Sequence, residues 1–214
     1  QNQKPFGTPR ALKLNEMEST YNMFNYSAEL ALKAGFDGIE IHMGHGYLID
    51  QFIDGNINDR QDKYGGTVEN RIRFAIELLK SLIKKIGSDK IMVRISPSRM
   101  MGGLYEWPDK MTTLEKLLKE FDLSGLRQLD ISCANSNYFD TSGKIVKQIK
   151  KFWPHILIGG ASLTIKEAEN EINSGYLDMV TWGRAILANP NFVKLIEKNL
   201  PLKEFNDKMR ESLI

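Results

Sequence analysis

Apolar positions near the start of the chain recur at helical steps. Met17, Tyr21, Phe24, Ala28 and Ala31 alternate four and three residues apart and form one stripe of an amphipathic helix over 15–33. Asn15 is the expected N-cap, acids follow it in the first turn, and Gly35 suits the position just past the end. Ile39 and Ile41 alternate with polar neighbours and predict a short strand over 37–42. A second stripe, made of Ile72, Ala75, Ile76, Leu79, Leu82, Ile83 and Ile86, predicts a helix over 67–86 closed by Gly87, and a strand over 90–96 follows. The same alternation then predicts helices over 113–121, 143–152 and 165–173, strands over 128–132, 156–159 and 177–182, and a last helix from about Pro190.

Five strands, each preceded by a helix, read as a parallel α/β sheet, and no linker or low-complexity segment divides it, so residues 1–214 are expected to form a single domain. A doubly wound nucleotide-binding sheet would carry G-x-G-x-x-G after its first strand, and that motif is absent. Polar residues and glycines gather instead after every strand: His42 and His45, Ser96, Ser132, Gly159–Gly160, and Gly183–Arg184. Chemistry spread over many strand ends is the habit of a (β/α)8 TIM barrel, which takes about 250 residues and eight strands. Only five are visible in these 214 residues.

Composition narrows the function classes. With 29 Lys+Arg against 27 Asp+Glu the net charge is +2, too little to hold a phosphate backbone, and no nucleic-acid partner is expected. No uncharged apolar run approaches the 18 or so residues of a membrane span. A lone Cys133 excludes an internal disulfide and a cysteine-ligated iron–sulfur cluster, and a reducing, cytoplasmic setting is the expectation. The first residue is Gln1 rather than Met, which suggests either processing or a beginning partway through something longer.

The densest chemical cluster is His42-Met43-Gly44-His45-Gly46-Tyr47, directly after a strand. A metal would need three or four ligands and only His155 remains, so none is expected. Two neutral imidazoles can instead donate to one substrate oxygen, and the Tyr47 phenol can deliver a proton beside them. The polar stretch over 51–66 is either a wall of the site or a merely solvated loop. Arg94 sits in the apolar strand Ile91-Met92-Val93-Arg94-Ile95, where a guanidinium needs a partner: either an acid such as Asp130 or an electron-rich ligand. Gly159-Gly160-Ala161-Ser162 and Gly183-Arg184 end the last two strands, where barrels commonly bind phosphate.

These residues carry a resemblance. Gly38-Ile39-Glu40-Ile41-His42-Met43-Gly44-His45-Gly46-Tyr47-Leu48-Ile49-Asp50-Gln51-Phe52 resembles the signature of the old yellow enzyme family of FMN-dependent oxidoreductases. So do Asn58-Asp59-Arg60-Gln61-Asp62-Lys63-Tyr64-Gly65-Gly66-Thr67-Val68-Glu69-Asn70-Arg71, Val93-Arg94-Ile95-Ser96-Pro97 and Trp182-Gly183-Arg184-Ala185-Ile186-Leu187-Ala188-Asn189-Pro190. The resemblance implies an FMN-holding barrel, reduced by NADH or NADPH and reoxidised by an activated alkene. His42 and His45 would hold the substrate carbonyl, and Tyr47 would protonate the α carbon. Arg94 would lie beside the flavin pyrimidine, and Gly183 and Arg184 would grip the phosphate, with Gly160 and Ala161 adjoining. The family's first three strands have no counterpart here, so the five strands correspond to strands 4–8. Open edges would then favour a homo-oligomer or a complementing N-terminal half. The rival readings are an inactive half-barrel acting only with such a partner, and another FMN barrel such as a tRNA-modifying reductase. Near-neutral charge and the histidine cluster count against the latter.

Overall fold

Five parallel strands lie side by side in the order in which the chain makes them. The computed structural model describes residues 7–100, 102–133 and 136–210, so Gln1 lies outside the described residues. Helix α1 (Met17–Lys33) leads to β1 (Ile39–Met43), the short α2 (Leu48–Ile53) and the long α3 (Val68–Ile86). Strand β2 (Ile91–Ile95) is followed by a hairpin of β3 (Ser98–Met100) and β4 (Leu104–Glu106), then α4 (Lys110–Leu123) and β5 (Gln128–Ile131). The rest is α5 (Ser142–Ile149), β6 (Ile156–Gly160), α6 (Ile165–Asn173), β7 (Met179–Thr181), α7 (Arg184–Ala188) and α8 (Phe192–Glu197). The sheet order is β1-β2-β5-β6-β7, every pairing parallel, with no reversal of direction across it. A sheet that grows in one direction only is the arrangement of a barrel rather than of a doubly wound fold.

Strand alternation sorts the side chains into two faces. Ile41, Met43, Val93, Ile95, Leu129, Ile131 and Leu157 point to the helical side, where they are buried with Phe74, Leu78 and Leu82 of α3, Leu117 and Phe121 of α4, and Val146 and Ile149 of α5. The opposite face carries the polar set. Register places His42 beside Arg94 and Arg94 beside Asp130, with Glu40 two residues before His42 on the same face.

The helix ends follow local chemistry. Thr67 caps α3 by accepting from the Asn70 amide, and Gly87 closes it at φ +88°, a left-handed conformation that favours glycine. Thr164 and Glu167 form a capping box on α6. Asn15 is not a cap: it lies inside a 3-10 turn, Leu14–Glu16, which Glu16 secures by accepting from the Lys13 amide. The helix expected from about Pro190 is α8, which begins at Phe192; the short α7 before it was not expected, and it ends where Asn189 leaves the helical path and bonds both the Ala185 carbonyl and the backbone of Lys203. The polar stretch over 51–66 begins as the end of α2 and continues as a tied loop. Asn58 donates to the Phe52 and Tyr64 carbonyls at 2.6 and 2.7 Å, and the buried Arg71 guanidinium reaches the Ile53 and Gly66 carbonyls at 3.0 and 2.9 Å.

Candidate functional site

The turn after β1 is shaped by what it cannot accommodate. A Cβ on Gly44 would lie 2.7 Å from Ser96 Oγ, so the backbone passes close over the end of β2. That approach lets the His45 amide donate to Ser96 Oγ at 2.7 Å. His45 and Gly46 both take left-handed conformations, φ +57° and +79°, which reverse the chain before Tyr47 opens α2. The reversal brings the aromatic groups together: the His42 ring centroid is 4.9 Å from that of His45 and 5.4 Å from that of Tyr47. The Tyr47 side chain is largely exposed.

Both imidazoles are held neutral. Burial is the main cause for each. It pushes His45 down to about 4, with the nearby His42, Arg94 and Arg99 adding to the effect. It lowers His42 as well, assisted by Arg94 and opposed by Glu40. A neutral imidazole presents one N–H donor and one acceptor, so the pair suits a carbonyl or phenolate oxygen.

Arg94 has the acid partner and also faces open space. Its Nε lies 3.2 Å from Asp130 Oδ2, and Nη1 is 3.6 Å from Glu40 Oε2. Nη2 donates to Ser132 Oγ at 2.9 Å, and that hydroxyl is in turn 3.2 Å from His45 Nε2. Asp130 is 1% exposed, and among the described residues neither carboxylate oxygen has a hydrogen-bond donor. Burial raises its pKa to about 7 against the pull of Arg94.

Beside Arg94 opens a cleft of about 820 Å³, within the usual size of a cofactor or ligand site. Its walls are the ends of β5, β6 and β7: Ser132 and Cys133, Gly160 to Thr164, and Thr181 to Ala185. A side chain on Gly160 would run into the Thr181 carbonyl, so glycine is needed for β6 and β7 to pair there. Ala161 and Ser162, both in the cleft wall, then turn at positive φ, 82° and 60°, and leave the line of the strand. Trp182 Nε1 donates to the Leu163 carbonyl at 2.9 Å and clamps the two loops together. Gly183 has open space where a Cβ would stand, with Arg184 next to it. Lys203 and Phe205 close the far side.

The structure thus brings Arg94, Gly160, Ala161, Gly183 and Arg184 into one cleft, and it brings His42, His45 and Tyr47 into a second cluster, joined to the first through Ser132 and Arg94. His155 stands apart from them at the start of β6, bonded to Asp122 at 2.7 Å. Several contributors are not identified by motif. Glu40 lies inside the family-like stretch over 38–52 but is marked out there only by its two-residue step from His42, Ser132 is signalled by its place after a strand, and Lys203 by nothing local.

Chemistry of this kind has parallels among known proteins. The profile of the NADH:flavin oxidoreductase / NADH oxidase family matches residues 1–203. A putative 12-oxophytodienoate reductase 11 of Oryza sativa subsp. japonica is 33% identical over 213 residues, which cover 94% of this chain and 55% of that protein. A probable flavin mononucleotide-dependent alkene reductase of Leishmania infantum is 33% identical over 201 residues, covering 94% and 54%. The structure of an old yellow enzyme homologue from Zymomonas mobilis superposes with a TM-score of 0.87 at 31% identity, covering 96% of this chain and 59% of that one. The chain therefore spans a little over half the length of these relatives, and its sheet is part of a TIM barrel. On the profile match and this shared barrel architecture, the chain belongs to the NADH:flavin oxidoreductase family, in its old yellow enzyme branch.

Proposed function

We propose that residues 1–214 form a single unit of an FMN-dependent oxidoreductase that passes hydride from NADH or NADPH to an activated alkene such as an enone, in a cytoplasmic setting. The observation that carries this reading is the pair of neutral imidazoles, His42 and His45, linked through Ser132 to a cation that lines a cofactor-sized cleft. The cleft fits FMN by size and by donor set. Arg94, on the cleft wall, would meet the pyrimidine edge, while Gly183, Arg184 and the backbone at Gly160 and Ala161, which line the same cleft, would take the phosphate. FMN, when bound, supplies the hydride chemistry.

The chain's own residues would do the rest. His42 and His45 donate to the substrate carbonyl and draw electron density from the alkene, which opens the β carbon to attack. Tyr47, exposed beside His42, delivers a proton to the α carbon. The Arg94 charge favours an electron-rich ring above it. The missing strands would close the barrel along β1 and β7, each of which has one sheet neighbour among the described residues. Supplied by the same polypeptide or by a partner, they would complete the flavin pocket, and the open edges would also favour self-association.

The test is a flavin spectrum. The 214-residue chain is purified, mixed with FMN and then with NADH or NADPH, alone and in the presence of the complementing strands. Retention of FMN and bleaching on reduction, reversed by an enone, are expected once the barrel is complete. A complete, folded barrel that binds no FMN would refute the assignment.

A further inference from the structure

The turn that carries the histidines is anchored from below by groups that touch neither the cleft nor the substrate position. Asp50, in the first turn of α2, is completely buried and meets three donors. The Gly46 amide lies 2.7 Å from Oδ2, Arg99 Nη2 lies 3.0 Å from the same oxygen, and Trp107 Nε1 lies 3.0 Å from Oδ1. Arg99 belongs to β3 and is 1% exposed. It also donates Nη1 to the Ser96 carbonyl at 2.9 Å, its guanidinium packs 4.5 Å from the Tyr105 ring centroid, and Nη2 is 3.8 Å from Asp54 Oδ2, which accepts from the Tyr105 hydroxyl at 2.6 Å.

Two amides of the histidine turn donate to side chains, the His45 amide to Ser96 Oγ and the Gly46 amide to Asp50 Oδ2, beside the turn's own Tyr47 amide to Gly44 carbonyl bond and the Gln51 side chain on the Gly46 carbonyl. Arg99 grips the residue that supplies each side-chain acceptor. Stability alone is a weak reason for such an arrangement, because well-packed apolar residues commonly replace a buried ion pair without loss. A left-handed non-glycine residue such as His45, in contrast, persists only where its surroundings over-determine it.

We propose that Arg99, delivered by the β3–β4 hairpin, is the positioning residue of the histidine pair: through Asp50 and the Ser96 carbonyl it locks the turn over 44–47 in the one shape that sets the two imidazoles side by side. The proposal rests on reading His42 and His45 as donors to a substrate oxygen. The Arg99 charge also helps to keep His45 neutral, so the same residue serves the pair's geometry and its protonation.

The experiment uses the complete FMN-bound protein and three readouts: hydrogen exchange at the Gly46 amide, the dissociation constant of a substituted phenol from its charge-transfer band, and FMN affinity. Asp50→Asn keeps the shape but must turn an NH2 either toward Trp107 or toward both Gly46 and Arg99, donor against donor, and it removes the charge that strengthens the remaining bonds. It is expected to speed Gly46 exchange and weaken phenol binding by about tenfold each, the scale of one charge-assisted bond, with FMN affinity unchanged. Adding Trp107→Phe removes the opposing donor and restores both readouts in part. Arg99→Met acts in the same direction as Asp50→Asn and moves the His45 titration upward. Unchanged Gly46 exchange in folded Asp50→Asn and Arg99→Met proteins would overturn the proposal, as would failure of the double variant to recover. Exchange that responds while phenol affinity stays constant supports Arg99 as the anchor of the turn and refutes the donor role of the histidines.

Discussion

Replacing Asp130 by Asn should stabilise the protein at neutral pH and remove a pH dependence that the native chain carries. Asp130 is buried with no hydrogen bond to either oxygen among the described residues, and burial raises its carboxyl pKa from the ordinary 3.8 to about 7. The folded state therefore holds a proton that the unfolded chain has released between these two values. Over that window stability falls as pH rises, by about 1.4 kcal/mol per pH unit, and the loss is complete above about pH 7. The rise of about three pH units corresponds to roughly 4 kcal/mol at most. The Arg94 guanidinium, 3.2 Å away, already opposes the shift, so burial is the dominant cause. Urea unfolding of both proteins from pH 4.5 to 8 isolates this group, because other titrations cancel in the difference between them. The difference should grow in favour of Asp130→Asn up to about pH 7 and then level off. A difference that is independent of pH, or one that grows toward acid, would refute the account.

Three further outcomes follow from the site. His42→Ala combined with His45→Ala in the complete protein should abolish the phenol charge-transfer band while FMN stays bound; an unchanged phenol affinity would exclude the histidines as the anion's donors. Tyr47→Phe should slow alkene reduction by about 10² to 10⁴-fold, the usual worth of a positioned proton donor, with flavin reduction by the nicotinamide nearly intact. Stopped-flow analysis of the two half-reactions separates these, and equal loss in both would make Tyr47 structural. Gly160→Ala should part β6 from β7 at the Thr181 carbonyl. A lowered melting temperature and loss of FMN retention are expected, and wild-type values for both would mean that the strands yield easily.

Long periodic elements were legible in the sequence, and short or non-local ones were not. Helix α3 carries its apolar stripe over five turns with Thr67 and Gly87 at its ends, and α6 matches the expected range 165–173 because Thr164 and Glu167 announce it. Helix α2 is six residues with Asp50 and Gln51 inside it, too short to show a period, and it reads as polar loop. The β3–β4 hairpin has three-residue strands, too short for alternation to register. The histidine cluster, Arg94 and the two glycine ends were visible as residues. Their connections depend on cross-strand register: Ser132 meets both Arg94 and His45 because β5 lies beside β2. Asp50 lies inside the family-like stretch over 38–52, but its anchoring role was not legible there, since its donors come from positions 46, 99 and 107.

The one-directional strand order also bears on how the chain acquires its structure. Ile39 pairs with Ile91 and Ile158 with Met179, so register partners lie about 50 residues apart at one end of the sheet and about 20 at the other. Each strand of the five-stranded sheet docks on the sheet strand made before it, with the β3–β4 hairpin set between β2 and β5, and no pairing within the described sheet joins its first strand to its last. Loop closure entropy grows with separation, and contacts between distant segments slow folding. The sheet can therefore assemble progressively as the polypeptide leaves the ribosome, one βα unit at a time, with no contact between its first and last strands to wait for.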